Sequence, residues 1–366
     1  MLYCIKKYSF VLFGVIKPFF VILICKGGNE MPRIPKFQKP PVDSLSIKGE
    51  APLKKKKHRR FTWDDFELTL LSLPTVLWFI AFCYIPLFGI VFAFKNYKVK
   101  RGKGFLYSLF VNSKWVGLKN FKFLFRSPDI WNIFRNTLGY NFVFICIGVT
   151  LPVALAIMIT QLRSRRLAKV CQTAVFLPHF LSWVVISYFV YAFLSTDKGL
   201  INNILVSFGG ERIRWYQDKT YWPFLLVFIN TWKTFGYSMV VYMATITGID
   251  QSLYESAVID GATKWQQCKG ITIPLLRPVI SIMFILNVGS IFSTDFGLFY
   301  QVTRDSNSLI DVTQTLDVYV YKATMELNNS YGYSAAASLL QNTLGCIMLI
   351  AANLAVKKID PDSGLF

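Results

Sequence analysis

Long apolar blocks constrain the possible fold of this chain more than any other feature of its sequence. Six blocks follow residue 61, and each is long enough to cross the roughly 30 Å hydrocarbon core of a bilayer as a helix. A bilayer offers no water to backbone polar groups, so each block is predicted to be helical. The sequence therefore predicts an all-α integral membrane protein with six core transmembrane helices. The blocks cover residues 68–94, 137–160, 171–194, 222–247, 278–300 and 334–356.

Basic residues predict how these segments are oriented. Clusters occur in the run Lys54–Arg60, in the segment 163–169 and at Lys357–Lys358. Because cytoplasmic loops carry an excess of Lys and Arg, these clusters place both ends of the six-span core in the cytoplasm. A fourth basic cluster, at 95–103, falls in a loop that this orientation places outside the cell. Three clusters favour the orientation and one opposes it, so we keep it. We therefore expect a multi-pass protein of the cell inner membrane. Its predicted extracytoplasmic loops are 95–136, 195–221 and 301–333.

Residues 1–60 are predicted to form an N-terminal extension that ends in a basic cytoplasmic tail. The apolar run 8–25 is interrupted by Lys17 and Pro18, and it fits a span, an interfacial helix or an uncleaved signal-like segment. Met31 opens a Pro- and Lys-rich stretch. We expect Met31 to be the working start of the chain.

The formal net charge of +20 raises the question of nucleic-acid binding. The basic run Lys54–Arg60 lies directly ahead of an apolar block, where such a run typically contacts anionic lipid. The rest of the sequence offers no soluble basic domain that would favour a nucleic-acid partner. We therefore expect contact with membrane lipid and no binding of nucleic acid.

The sequence shows no pattern typical of catalysis or of metal binding. It contains no Walker A motif, so the chain is not expected to bind ATP. The seven cysteines are scattered without metal-ligand spacing. His58 belongs to the basic run, and His179 follows Pro178 in an apolar block, where a lone histidine is more often structural than catalytic. We expect no catalytic residue, no metal site and no cofactor in this chain.

The segment 250–274, between the fourth and fifth blocks, is too long for a simple hairpin and too apolar for a linker. Asp250 or Ser252 can cap the start of a short helix, since both side chains accept hydrogen bonds from backbone N–H groups. Gly261 can end that helix in a left-handed turn. The pattern thus predicts a short helix that begins near 250 and ends before 261.

A second short helix is predicted over 262–269, and Gly270 and Pro274 are predicted to break the chain before the fifth span. Two short helices at a bend form a compact knob on the cytoplasmic face. Small residues such as Ala257 allow another protein to approach the knob closely. The alternative is an ordinary amphipathic loop that lies among the lipid headgroups.

The same segment resembles the EAA loop of binding-protein-dependent ABC importer permeases. The usual pattern begins Glu-Ala-Ala, and a serine replaces the first alanine here. The match is specific because it combines spacing, composition and position between two spans. The resemblance assigns coupling to the ATPase subunits to a set of loop residues. These are Glu255, Ser256, Ala257, Asp260, Gly261, Ala262, Ile271 and Pro274.

The resemblance extends from about Leu73 to the end of the chain, within a permease domain predicted over 61–366. Further matches lie at Tyr84-Ile-Pro86 and at Val116–Phe121, and they point to the carbohydrate-uptake subgroup. The ending Lys358–Phe366 is similar to permeases assigned to complex oligosaccharides and polysaccharide fragments.

The resemblance implies the rest of a transport machine. A second permease subunit, expected to be a different chain, pairs with this one in the membrane. Two ATPase subunits dock from the cytoplasm and hold the ATP and Mg, and an extracytoplasmic solute-binding protein delivers the oligosaccharide. The resemblance thus implies import of an oligosaccharide or polysaccharide fragment by alternating access, with the spans reoriented through the loop.

Polar and aromatic residues inside the spans are candidates for the substrate pathway. Intramembrane polar groups are costly and usually face protein or water. Aromatic faces suit the apolar face of a sugar ring, and polar groups suit its hydroxyls. The alternative for the polar residues is hydrogen bonding between helices. The candidates are Trp232, Lys233, Tyr237, Asn287, Asn342 and Asp295, the last predicted near the outer end of its span.

Two alternative functions from other classes of membrane protein stay open at this point. An ion-coupled secondary transporter or channel needs a coupling site, usually with several charged or discontinuous spans. The long inside loop and the few intramembrane acids argue against it. A membrane-embedded enzyme needs a catalytic cluster, and none is recognisable.

Overall fold

The computed structural model describes residues 63–97, 107–108, 111, 113–126, 129–326 and 331–365. The predictions for residues 1–60, the run 8–25 and Met31 among them, lie outside the described residues. The chain divides into two compact units, Met1–Gly89 and Ile90–Phe366.

The described part of the first unit is one helical run. Helix α1, Trp63–Phe79, continues as a π-helix over Ile80–Tyr84 and then as a 3₁₀-helix from Ile85. Helical structure persists through residue 94, and Thr69–Phe94 is long and apolar enough to cross a membrane. The predicted block 68–94 is therefore confirmed as a helix.

The second unit is almost entirely helical where it is described. A two-stranded antiparallel ribbon pairs β1, Lys95–Asn96, with β2, Lys114–Trp115. The helices are α2 Val91–Phe94, α3 Lys119–Arg126, α4 Ile130–Thr160, α5 Arg165–Phe176, α6 Trp183–Leu194, α7 Leu200–Ser207, α8 Trp222–Thr247, α9 Gln251–Ile259, α10 Lys264–Gln267, α11 Ile273–Gly289, α12 Ile310–Thr313, α13 Leu316–Glu326 and α14 Tyr331–Ile359. Short 3₁₀- and π-helical segments cover Leu177–Phe180, Cys268–Thr272, Gly297–Val302, Asn307–Leu309 and Pro361–Ser363.

Five described helices are long and apolar enough to span a membrane, and one bent pair brings the number up to six. The prediction for 222–247 matches α8 at both ends. The bent pair consists of Arg165–Phe180 and Trp183–Leu194, which meet at an angle of 100°. The third predicted span, 171–194, is therefore broken between these two segments. The prediction for 278–300 is wrong beyond Gly289, where α11 ends.

Helices α4 and α8 pack together and run parallel. Tyr140 and Leu226 share one apolar cluster, and Ala156 and Met239 share a second cluster further along both helices. Leu276, near the start of α11, belongs to the second cluster, and the segment Pro361–Ser363 packs against α11. The turn after α4, the loop after α8 and the chain end therefore lie at one end of the bundle, called here the loop end.

A common loop end agrees with the basic-residue prediction that these three segments share one side of the membrane. Cysteines introduced at Arg163 and Gln266 are expected to resist an impermeant thiol reagent in intact cells, whereas one at Ser308 should react. All three positions are exposed, so shielding reports the membrane and not burial. The background should carry Cys146→Ser, since that native cysteine is exposed. Labelling of all three after permeabilisation is the control, and labelling at Gln266 in intact cells would reverse the predicted orientation.

Candidate functional site

The loop after α8 begins with a well-terminated helix, α9. The Asp250 carboxylate accepts a hydrogen bond from the Ser252 N–H at 3.0 Å, which confirms Asp250 as the cap. Gly261 has φ +76°, a conformation that costs an L residue about 1–2 kcal/mol. The N–H groups of Ala262 and Gly261 close the helix end on the carbonyls of Ala257 and Val258 at 2.8 and 3.1 Å. The predicted left-handed turn at Gly261 is confirmed.

The second part of the loop differs from its prediction. Thr263 forms a capping box with Gln266 and starts α10. The helix then continues through the π-turn at 268–272 into α11, and Lys264–Gly289 is one run of 26 residues. The predicted break at Gly270 and Pro274 is therefore wrong. A π-turn just ahead of Pro274 makes room for a ring that would clash with a carbonyl of a regular helix.

Helix α9 is tied to this long helix and presents an apolar surface beside the turn. The Tyr254 hydroxyl and the Thr272 hydroxyl lie 2.9 Å apart, and the buried Gln267 side chain donates to the Ala262 carbonyl at 3.0 Å. Ile259 is 86% exposed and Trp265 is 73% exposed. Of the predicted coupling residues, Glu255, Ser256, Asp260 and Gly261 are exposed, whereas Ala257, Ala262, Ile271 and Pro274 are half-buried.

The break in the bent pair is held by a side chain from α8. The Lys233 ammonium group donates to the carbonyl of His179 at 3.0 Å and also to the carbonyl of Leu181. These carbonyls end a helical segment, where a cation is favourable because the helix dipole is negative there. Ser182 then caps α6 by accepting from the Val185 N–H. Lys233 thus supplies hydrogen bonds that a continuous helix would have made internally.

An aromatic residue connects the break to the segment after α11. Lys233 Nζ lies 5.2 Å from the centroid of the Trp183 ring, and Trp183 Nε1 donates to the Asp295 carboxylate at 2.7 Å. Asp295 also accepts from the Gly297 N–H at 2.8 Å. A Cβ on Gly297 would lie 2.3 Å from the Trp183 ring, so only glycine allows this packing. Asp295 is exposed and lies beyond Gly289, where α11 ends, whereas it was predicted within the span 278–300 near its outer end.

A glycine of α8, Gly236, lets this helix approach the backbone of α5, the first helix of the bent pair. A Cβ on Gly236 would lie 2.3 Å from the Val175 carbonyl oxygen. One turn along the same face from Lys233, Tyr237 stacks on the His179 ring with centroids 5.0 Å apart. Helix α8 therefore meets the bent pair at three consecutive contacts, which fixes the position of the break.

Amide side chains hold the backbone where α11 ends. Asn141 Nδ2 donates to the Ile291 carbonyl at 2.8 Å, and Gln341 Nε2 donates to the Phe292 carbonyl at 3.0 Å. These donors come from α4 and α14, so three helices meet at this point. The early end of α11 is thus stabilised by distant parts of the sequence.

The structure brings together only some of the predicted pathway residues. Lys233, Tyr237 and Asp295 lie around the break, whereas Trp232 is 38% exposed on another face of α8. Asn287 of α11 and Asn342 of α14 are half-buried. Hydropathy did not single out Trp183 or Asn141, because an aromatic or a lone amide within an apolar block looks ordinary until its partner is known.

Comparison with known proteins identifies the chain. Residues 148–359 match the family described as the binding-protein-dependent transport system inner membrane component, which is more than half of the chain. The chain belongs to this family. It is a permease subunit, and the hydrolysis of ATP takes place on separate ATPase subunits.

Two curated relatives match the permease along most of their length. It is 32% identical to Protein LplB of Bacillus subtilis over 302 residues, which cover 82% of this chain and 92% of the relative. It is 33% identical to the polygalacturonan/rhamnogalacturonan transport system permease protein YteP of the same organism over 321 residues, 88% of this chain and 96% of the relative.

A solved structure supports the same conclusion. The permease matches a chain of a bacterial alginate ABC transporter in complex with an alginate pentasaccharide-bound periplasmic protein. The TM-score is 0.70 at 29% identity, and the match covers 82% of this chain and 98% of the other. The predicted family, fold and role as a membrane permease are confirmed, and the rival readings as an ion-coupled transporter, a channel or a membrane enzyme fall away.

Proposed function

We propose that this permease imports an oligosaccharide or a polysaccharide fragment into the cytoplasm by alternating access. The observation that carries the proposal is the near full-length similarity to a permease named for polygalacturonan and rhamnogalacturonan transport. A binding protein loaded with a pentasaccharide in the similar alginate transporter supports delivery by an extracytoplasmic solute-binding protein. A second, different permease subunit and two ATPase subunits complete the proposed complex, and ATP and Mg bind to those ATPases.

The loop 250–274 is the proposed contact with an ATPase subunit, on the cytoplasmic side together with the chain end. Exposed Ile259 and Trp265 flank the turn at Gly261, and exposed apolar groups of this kind mark a binding surface. The Glu255 and Asp260 carboxylates lie exposed on the same short helix and its end. Closure of the ATPases would move this knob, and the knob continues directly into α11.

Uptake by the reconstituted transporter tests the proposed substrate. The full complex in proteoliposomes, with the binding protein outside and ATP inside, is expected to accumulate radiolabelled trigalacturonic acid or a neutral trisaccharide such as maltotriose. Uptake should vanish when either ATP or the binding protein is left out. Accumulation driven by an ion gradient in the absence of ATP would contradict the proposal, as would failure to take up any member of a broad oligosaccharide panel.

A pair of glycine variants tests the docking role of the loop. Gly261→Ala places a side chain at a positive φ and should cost about 1–2 kcal/mol, which loosens the turn that presents the knob. Recovery of the ATPase with the purified permease is expected to fall at least five-fold.

Gly270→Ala is the matched control, since a Cβ has open space at both positions and only Gly261 has a positive φ. Gly270→Ala should recover the ATPase as the wild type does. Equal recovery by both variants, with unchanged transport, would remove the turn from the docking surface.

A further inference from the structure

An open cleft of about 420 Å³ lies at the end of the bundle opposite the loop end. Its walls include two tyrosines, Tyr191 at the end of α6 and Tyr216 ahead of α8, whose ring centroids are 5.8 Å apart. Arg304, after the π-helix Gly297–Val302, and Asp197, after α6, bring opposite charges to the lining. Hydroxyl groups of Ser195, Thr196 and Ser306 complete it.

The backbone holds Arg304 in a conformation that ordinary residues avoid. Arg304 and Asp305 have φ values of 53° and 50°, in the left-handed region that is uncommon for residues other than glycine. The Asp305 N–H donates to the Tyr300 carbonyl at 3.2 Å, and the Asp305 carboxylate forms an ion pair with Lys322. Such a turn points the Arg304 side chain over the ring of Tyr191, with Cζ 4.0 Å from the centroid. Backbone strain of this kind is concentrated at functional sites.

Arg304 forms no ion pair with another of the described residues. The ion pairs found there join Lys219 with Asp311 and Lys322 with Asp305. The Arg304 guanidinium lies over the Tyr191 ring, and a guanidinium in such a position can still offer N–H groups to a ligand. The cleft therefore offers charged donors on one wall.

The remaining walls are fixed before any ligand arrives. The Tyr216 hydroxyl donates to the Val302 carbonyl at 3.4 Å, and Ser306 donates to the Tyr216 carbonyl at 2.8 Å. Arg212 donates to the Asp197 carbonyl at 2.8 Å and thereby holds the backbone of the residue that carries the lining carboxylate. Burial raises the pKa of Tyr216 to about 12, so its hydroxyl keeps its proton at physiological pH.

We propose that this cleft binds a pyranose ring of the transported saccharide through its hydroxyls, outside the membrane-spanning path; this inference rests on the proposed function. Sugar hydroxyls donate and accept hydrogen bonds, and the lining of the cleft includes a charged donor, Arg304, and a charged acceptor, Asp197. A ligand that bears many hydroxyls can use both the Arg304 donors and the Asp197 acceptor, so the pair favours a hydroxyl-rich ligand. Tyr191 positions the Arg304 guanidinium, and the Tyr216 ring adds an apolar surface to the same lining.

Binding of a sugar to the purified complex, without the binding protein, tests the site. The probe is whichever of trigalacturonic acid or maltotriose the wild-type transporter takes up. Arg304→Gly removes the guanidinium and relieves the strained backbone, so lost binding cannot be ascribed to misfolding at this turn. Arg304→Gly and Tyr191→Ala are each expected to weaken binding at least ten-fold, as measured by equilibrium dialysis. Lys219→Ala, which removes a cation at the same end but outside the lining, should bind within two-fold of wild type.

Each other outcome has a definite meaning. Wild-type binding by Arg304→Gly and Tyr191→Ala, in a transporter that takes up sugar, overturns the site and leaves the proposed function intact. Weaker capture of the unliganded binding protein by Arg304→Gly, with sugar binding unchanged, overturns it in favour of a protein contact. Absence of uptake of every sugar by the wild type would instead overturn the proposed function, and this inference with it.

Discussion

Replacing Gly236 by valine is expected to abolish transport and to destabilise the permease strongly. A Cβ at this position would lie 2.3 Å from the Val175 carbonyl oxygen and 2.9 Å from the Phe176 Cα. Both neighbours are backbone atoms, so relief requires α8 and the bent pair to move apart. Overpacking of this kind costs about 1–3 kcal/mol and occasionally more, and separation would also withdraw Lys233 from the break. Thermal unfolding in detergent should show a lowered Tm, and uptake in proteoliposomes should fall to background.

Gly148→Val in α4 is the matched control for this prediction. Gly148 is also a helical glycine in an apolar span, but a Cβ there meets nothing within 4 Å. Its Tm and uptake should stay close to those of the wild type. If Gly236→Val behaved like Gly148→Val, the close approach of α8 to the bent pair would not exist in the membrane.

Lys233→Met is expected to produce the second large effect. Methionine has a similar length but cannot donate, so the carbonyls of His179 and Leu181 lose their partner. Hydrogen bonds from a charged donor contribute about 1.5–3 kcal/mol each. We expect at least a ten-fold loss of uptake together with a lowered Tm.

The conservative variant separates a structural role from a substrate contact. Lys233→Arg keeps the charge and the donors, so it should restore most of the Tm if the side chain serves the break. Lys198→Met, an exposed lysine after α6, controls for general loss of positive charge. A Lys233→Met protein with the wild-type Tm and a raised KM for the delivered sugar would instead indicate that Lys233 contacts the substrate.

Hydropathy predicted the spans because the need to bury an apolar block is local to that block. Helix α8 was therefore predicted to the residue at both ends. The bend between Phe180 and Trp183 was not, since Pro178 and Ser182 only permit it and the stabilising donor, Lys233, lies 52 residues from Leu181. The end of α11 was missed for the same reason, because its partners are amides on α4 and α14.

The loop shows both the strength and the weakness of local signals. Asp250, Gly261 and Thr263 act through hydrogen bonds to their own neighbours, and the first two were predicted in these roles. Pro274 was predicted to end a helix, but a π-turn before it preserves the helix. Pro86 likewise follows the π-helix Ile80–Tyr84, so the pairing of a π-turn with a following proline occurs twice in the described chain. Neither Arg304 nor its left-handed turn carries a sequence signal, because arginine is not a residue that this conformation favours.

The helix from Lys264 to Gly289 would carry the proposed coupling as one continuous element. At 1.5 Å per residue its 26 residues form a rod of about 39 Å. A flexible joint at Gly270 would absorb a push received at Trp265 within a few residues. Because the helix is continuous at Gly270, a tilt imposed at Trp265 would also move the other end of the helix. That end lies beside the backbone to which Asn141 and Gln341 donate hydrogen bonds. Under the proposed coupling, this one helix would link motions at the two ends of the bundle by leverage, with no need for a relay of side chains between them.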